Sequence, residues 1–503
     1  MTNTLNLSLP IYMAKLKEVQ KTSSFKFPSG AASILVYRTD NISRAKKLVK
    51  DQLQPYQLKT IPKEEGSFSQ FQGKKGPLLL ICLPVEDFKY SDHEGLLDSS
   101  NYSLARDLVG AGLVSYEDVY QDIHLNLLDL EYDEALGSLL GMELAAYSFK
   151  SLKGAFSFSA QYQGSLEKGQ LKDVLKNAKD IGQGINISRY LVDLPPNAKR
   201  PDTYATGIKN LFTGQTGMTV SVWNEARLKR EKMGCLLGVG QASVQTAGLV
   251  HLRYRPKGGK DLAPVAFVGK GITFDTGGLN LKPGGSMRLM KKDMGGSACL
   301  VGLAQWVVKS KLEIPCDFYF ALAENSVDSE SFRPSDILTA RNGMTVEIDN
   351  TDAEGRLVMA DALALASEAK GADKPQFLID VATLTGAIKV GLGSDIGGLF
   401  SNDDDLAFLL QNCGQMAGDP LWRMPLMKSQ REKLKSEVAD IANSTSGFGG
   451  AIRAAMFLKE FTGDLPWAHL DIFAWNDARK TFYRGAGGSG QGVQCLAQFL
   501  SQL

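Results

Sequence analysis

Apolar residues fall in short blocks along the first third of the chain. Residues 33–37 and 77–83 are nearly unbroken runs of strand-forming side chains, whereas residues 132–150 space their apolar positions at helical intervals. Strands therefore alternate with helices in this region. A polar stretch at 151–170 separates it from a segment of helical pattern, 171–194, which ends at Pro195-Pro196, where a helix cannot continue. Four strand candidates follow, at 264–268, 315–323, 345–349 and 376–381, each succeeded by a loop and then a helical pattern. The pattern predicts an α/β protein of two domains. A smaller N-terminal α/β domain spans 1–170, and a larger C-terminal α/β domain spans 171–503, with a central mixed sheet flanked by helices. A length of 503 residues agrees with this, since one hydrophobic core rarely serves so long a chain.

Charge narrows the set of partners. Lys and Arg number 56 against 55 Asp and Glu, so there is no overall basic excess of the kind that nucleic acid or an anionic membrane selects. Residues 1–15 lack an apolar core followed by small residues, and no run of about 18 apolar residues occurs. A cytoplasmic location without membrane insertion is expected. Cys82, Cys235, Cys299, Cys316, Cys413 and Cys495 are scattered with no Cys-x-x-Cys pair, which suits buried thiols in a reducing compartment better than disulfides or a zinc ribbon.

In open α/β sheets, ligands bind outside the carboxyl ends of strands, so the loops after the strand candidates are where chemistry is expected. The segment after 264–268 reads Gly269-Lys270-Gly271-Ile272-Thr273-Phe274-Asp275-Thr276-Gly277-Gly278 and continues to Lys282 and Asp293. The segment after 345–349 reads Asn350-Thr351-Asp352-Ala353-Glu354-Gly355-Arg356-Leu357. Asp352, Glu354 and Arg356 alternate, so they share one side of the chain if the stretch is still extended. Carboxylates gathered at strand ends repel one another unless cations sit among them. Two divalent ions about 3.5 to 4 Å apart would suit such a ligand supply, with Mg²⁺, Mn²⁺ and Zn²⁺ all compatible. Taken singly, Asp352 or Glu354 is more simply a helix cap, and Met290 or Leu384 a core side chain. A phosphate-binding loop at Gly269-Lys270-Gly271 is disfavoured because no Ser or Thr follows the lysine and the Walker spacing is missing.

The octapeptide at 350–357 resembles, without a substitution, the signature of the leucyl aminopeptidase family. Segments 268–278, 282–283, 290–296, 380–387 and 467–472 resemble that family in the same order, from about Asn186 to the C-terminus. The resemblance implies a two-metal aminopeptidase that removes an N-terminal, preferably leucine-like residue from peptides. It implies Lys270, Asp275, Asp293, Asp352 and Glu354 as ligands, with Asp275 and Glu354 bridging, and Mn²⁺ or Zn²⁺ favoured over Mg²⁺ or Co²⁺. Lys282 would stabilise the oxyanion, and Arg356 would anchor a bicarbonate that shuttles the proton. Met290, Thr383, Leu384 and Gly386 would line the pocket for the N-terminal side chain, and six subunits would assemble. Two stretches depart from the family, 325–336 and 485–490, and both are expected near the substrate entrance.

Other hydrolase signatures are missing: there is no Gly-x-Ser-x-Gly and no His-Glu-x-x-His. His93, His124, His251 and His469 all lie outside the ligand segments. Because some bacterial members of the family bind DNA, an aminopeptidase scaffold serving as a DNA-binding accessory protein is the alternative. The basic clusters at 44–50 and 227–232 read more simply as solvated helix faces.

Overall fold

A computed structural model describes residues 16–86, 99–116, 122–149, 157–256 and 262–503. His93 and residues 1–15 lie outside the described residues.

The first sheet has six strands: β1 (Val19–Lys21), β2 (Ala32–Arg38), β3 (Ser67–Gln72), β4 (Pro77–Leu83), β5 (Asp122–Leu128) and β6 (Ser157–Gln163), in the order β1-β6-β5-β2-β4-β3. All pairings are parallel except β3 with β4. The unbroken apolar run of β4 is explained by cover on both faces. Leu79, Ile81 and Leu83 join one core cluster, and Leu78, Leu80 and Cys82 join another. The polar stretch expected to end this region is only partly a separator. Residues 157–163 form β6, in which Phe158, Ala160 and Tyr162 are buried between polar neighbours. Alternation with a half-polar face makes a strand read as a loop.

The central sheet has eight strands: β7 (Met218–Trp223), β8 (Gly248–Tyr254), β9 (Val265–Asp275), β10 (Cys316–Asn325), β13 (Phe377–Ala382), β14 (Gly397–Ser401), β15 (Leu421–Arg423) and β17 (Trp467–Asp471). Their order is β15-β14-β17-β13-β9-β10-β8-β7. Strands β17, β13, β9 and β10 run parallel in the middle, and β8, β7 and β14 add antiparallel pairings. The sheet is therefore mixed. The strand expected at 345–349 is shorter and stands elsewhere. As β12 (Thr345–Glu347) it pairs with β11 (Ile337–Thr339) and β16 (Ile441–Ala442) in a separate three-stranded sheet.

The Lys168–Asp193 helix touches β1 of the first sheet and packs on the Gly295–Ser310 helix that covers the central sheet. Its first turn is closed by a reciprocal bond in which the Glu167 amide donates to Gln170 at 2.9 Å. It crosses the Gly295–Ser310 helix where Gly184 meets Gly302, and a Cβ on either glycine would stand 2.6 Å or less from the other's carbonyl oxygen. Backbones approach that closely only because both positions lack a side chain. One apolar cluster runs from the first sheet through these helices to the Val493–Gln502 helix. Among the described residues no helix is long and apolar enough to cross a membrane.

Candidate active site

Lys270 and Asp275 were expected in a loop, yet both belong to β9, which extends through Asp275. The glycines that suggest a loop serve packing: a Cβ on Gly269 would lie 2.8 Å from Ser297 Cα. Residues five apart in a regular strand face opposite sides. Here Ile272 pairs with Ala323 and Asp275 with Asn325, so β9 uses one more residue than β10 across that interval. This bulge reverses the alternation and returns Asp275 to the face of Lys270.

After Asp275 the chain turns through Gly277 and Gly278, both at positive φ, and comes back at Lys282, whose amide donates to Thr276 O at 2.9 Å. Thr351 stitches this turn to the 350–352 segment. Its hydroxyl donates to Gly277 O at 2.7 Å and accepts from the Asn280 amide at 2.8 Å. Asn325 fixes the same junction by donating to Asp275 Oδ1 at 2.9 Å and to Thr351 O at 3.1 Å.

The Glu354–Ser367 helix starts at Glu354, so Asp352 precedes it and Glu354 and Arg356 stand in its first turn. Ala353 is the N-cap and no side chain caps this end, which removes the simple capping role for Asp352. Asp293 follows the Met290–Lys292 turn and accepts from Thr383 Oγ1 at 2.8 Å.

All eleven expected residues line one cavity of about 310 Å³ at the carboxyl ends of the central strands: Lys270, Asp275, Lys282, Met290, Asp293, Asp352, Glu354, Arg356, Thr383, Leu384 and Gly386. Met290 and Leu384 are half-buried against it rather than enclosed in the core. One oxygen each from Asp275, Asp293 and Glu354 can be chosen so that all lie within 4.8 Å of one another, and the three residues are buried. Lys270 Nζ stands 2.7 Å from Asp293 Oδ2 and 3.0 Å from Glu354 Oε1. Lys282 Nζ stands 2.9 Å from Asp275 Oδ2 and 2.5 Å from Asp352 Oδ1. Glu354 Oε2 is buried and accepts no hydrogen bond from the described residues. A buried carboxylate oxygen left without a donor is costly, and its neighbourhood demands positive charge.

Electrostatics follow from this crowding. Burial pushes the Glu354 carboxyl up to about 8, with Asp275 and Asp293 adding to the rise and Lys270 and Lys282 opposing it. Asp275 is raised for the same reasons, burial first. Burial would lower Lys270, but Asp293, Glu354 and Asp275 outweigh it and hold the ammonium charged. Lys282 behaves alike, its burial overcome by Asp275, Glu354 and Asp293. Burial brings Arg356 down to about 10; one of its nitrogens donates to Asn443 O at 2.8 Å, while its Nε is buried and unbonded.

The remaining histidines serve elsewhere. His251 bonds Asp317 at 3.0 Å, His469 bonds Asp380 at 2.5 Å, and His124 bonds Ser159. Sequence reading missed Asp471, which accepts from the Leu384 and Thr385 amides and the Thr385 hydroxyl and so shapes the 383–385 wall. It also missed Lys292 and Phe473, which line the cavity, and Asn443, whose carbonyl holds Arg356. Position at a strand end was the one available signal for Asp471; Lys292 offered only its adjacency to Asp293. Neither divergent stretch lines the cavity. Asn325 anchors Asp275, while Gly488 accepts from Arg189 Nε and donates its amide to Asp193.

Fold and site together define a mixed α/β protein with a buried centre of carboxylates and lysines suited to divalent cations. The sequence model of the catalytic domain of the cytosol aminopeptidase family matches residues 186–497. A probable cytosol aminopeptidase of Bradyrhizobium is 41% identical over 445 residues, 85% of this chain and 87% of that protein. One from Nostoc punctiforme is 43% identical over 326 residues, 64% of this chain and 65% of that relative's length. Among solved structures, a cytosol aminopeptidase from Coxiella burnetii superposes with a TM-score of 0.77 at 29% identity, over 96% of this chain and 99% of that one. The bottromycin maturation enzyme BotP in complex with Mn superposes with a TM-score of 0.80 at 27% identity, over 94% of this chain and 99% of that one. The chain belongs to the cytosol aminopeptidase family, and by that membership it is an aminopeptidase.

Proposed function

We propose that this protein removes the N-terminal residue from peptides at the 270–386 cavity, with two divalent cations as cofactors. The observation that carries the reading is the buried set Asp275, Asp293 and Glu354, with an unbonded Glu354 oxygen and two lysine ammoniums among the carboxylates. These oxygens and a primary amine are donors that Mn²⁺, Zn²⁺, Mg²⁺ or Co²⁺ accept. Lys270, Asp275, Asp293, Asp352 and Glu354 would hold the pair. The Mn-bound BotP relative supports Mn²⁺ as one occupant. When bound, such cations polarise a carbonyl and lower the pKa of water toward neutrality.

The chain's own residues account for the rest. Lys270 ligates only without its proton, which the surrounding carboxylates hold, so loading at this position requires proton release. Lys282 keeps its charge and supplies an electrophile for the oxyanion. No histidine is among the described residues that line the cavity; Arg356, whose buried Nε makes no hydrogen bond, would hold a planar bicarbonate, and that anion would supply proton transfer. Met290, Thr383, Leu384 and Gly386 form the wall for the N-terminal side chain. Selection there is broad, because one methylene is worth only about 1 to 3 kcal/mol. A cytoplasmic hexamer is the setting expected for this activity.

Elemental analysis of purified protein dialysed against Mn²⁺ or Zn²⁺ tests the reading. About two equivalents per subunit are expected in the wild type, and fewer than one in Glu354→Ala. Wild-type protein that retains no metal while folded would overturn it.

A further inference from the structure

The Met290–Lys292 turn carries a cation that this mechanism leaves unused. Lys292 is 5% exposed and shares the cavity wall with Met290, Thr383, Leu384 and Gly386. Its ammonium lies 4.5 Å from the centroid of the Phe473 ring. Among the described residues it forms no ion pair and donates no hydrogen bond, because the nearby carboxylates are engaged. Asp293 is taken by Lys270 and Thr383, and Asp471 by Leu384 and Thr385. Contact with a ring face is a weaker partner for a largely buried ammonium than an ion pair would be. An anionic group entering the cavity would supply the ion pair that Lys292 lacks among the described residues.

Its placement is enforced from behind. Lys199, fully buried, donates to Leu191 O and Lys291 O, both at 2.7 Å. Lys291 in turn donates to Asp193 O at 2.8 Å. The turn is thereby fastened to the end of the Lys168–Asp193 helix, and Lys292 is held toward the cavity rather than left to swing into solvent. A second ammonium, Lys389, lies 3.8 Å from the same ring's centroid and is paired with Asp477 at 3.5 Å, outside the cavity lining.

We propose that Lys292 determines specificity by pairing with a carboxylate on the side chain of the substrate's N-terminal residue. Peptides beginning with glutamate or aspartate are then accepted alongside leucine-like ones, and those beginning with lysine or arginine are rejected. The inference rests on the aminopeptidase reading and names the substrate class of that site. The N-terminal side chain is the favoured carrier of the carboxylate because Lys292 shares a wall with the residues assigned to that side chain. Glutamate's methylenes would lie along Met290 and Phe473 with the carboxylate at the ammonium. A cationic side chain would bring like charges together away from water.

The test compares kcat/KM for glutamyl, leucyl and lysyl p-nitroanilides in the metal-loaded wild type, Lys292→Met, Lys292→Arg and Lys292→Glu, with metal content measured for each. In the wild type, glutamyl and leucyl substrates should fall within about tenfold of each other, and the lysyl substrate about a hundredfold below. Lys292→Met should lower the glutamyl-to-leucyl ratio by about tenfold or more, chiefly through KM, Lys292→Arg should restore it, and Lys292→Glu should raise lysyl above glutamyl. A ratio unchanged in Lys292→Met would overturn the proposal while leaving leucyl hydrolysis, and so the aminopeptidase reading, intact. Leu-Gly and Leu-Gly amide separate the other source of a carboxylate. Loss confined to the free dipeptide would assign Lys292 to the substrate's C-terminus and overturn the proposal as stated. No turnover of any substrate by the wild type would remove both readings.

Discussion

Glu354 concentrates the physics of the centre in one side chain. It starts a helix, where the dipole favours its charge, yet burial and two neighbouring carboxylates raise its pKa. Lys270 and Lys282 reconcile these demands by standing between the carboxylates. They are not equivalent, however. Lys270 is enclosed and bonds Asp293, Glu354 and Thr383 O, whereas Lys282 is more open to the cavity on a turn that two glycines create. Lys282→Met keeps the stem and removes the charge. It should lower kcat by about 10² to 10³ while circular dichroism is retained, as for loss of an oxyanion donor. A fall confined to KM would assign Lys282 to ground-state binding instead. The ligand segments were legible because charged residues packed between glycines at strand ends have few structural uses. Thr351, Asn325 and Asn443 were not, since each acts through hydrogen bonds to segments 26 to 94 residues away, which no local pattern encodes.

At the scale of elements, the apolar runs gave β2, β4, β10 and β13 nearly to their ends. Strand β9 was cut short because Gly269 and Gly271 read as loop residues, although Gly269 is there to admit Ser297. The bulge that brings Lys270 and Asp275 to one face is a matter of register with β10 and has no local signature. The helix after Asp293 is held in the same way, since a Cβ on Gly296 would fall 1.9 Å from Val381 O.

The Glu354–Ser367 helix is tied at its middle by Asp361, whose carboxyl accepts the Leu236 and Arg341 amides, both at 2.8 Å. Burial pushes that carboxyl up to about 7, against the pull of those amides and of Arg341. A native pKa above the unfolded one means that the folded state holds the extra proton. This contribution to stability is therefore full below about pH 4 and is lost as pH rises toward 7, on the order of a few kcal/mol. Denaturant midpoints between pH 4 and 8 should show it, and Asp361→Asn should flatten that part of the curve. An equal slope in the variant would place the titration elsewhere.

Across the whole molecule, the Lys168–Asp193 helix packs on the Tyr132–Ala146 helix of the first region and on the Gly295–Ser310 helix of the second, and we propose 1–170 and 171–503 as the two domains. Their contact is polar as well as apolar. Arg106, buried on the Asn101–Tyr116 helix, donates to Ala417 O and Gln494 Oε1 at 2.8 Å and to Gly418 O at 3.1 Å. Arg106→Met leaves these acceptors unpartnered and should destabilise the protein by about 3 kcal/mol or more in chemical denaturation. A loss below about 0.5 kcal/mol would show that water replaces the guanidinium. The sequence reading singled out neither this helix nor its partners, which come from more than 300 residues further on.

Hydrolysis of leucyl p-nitroanilide by metal-stripped protein, before and after return of Mn²⁺, Zn²⁺, Co²⁺ or Mg²⁺, beside Asp352→Ala and Glu354→Ala, tests the metal-dependent site most directly. Turnover restored by metal in the wild type and reduced about 10²-fold or more in both variants is the expected result. Folded wild-type protein inert with every metal, or variants as active as the wild type, would contradict it.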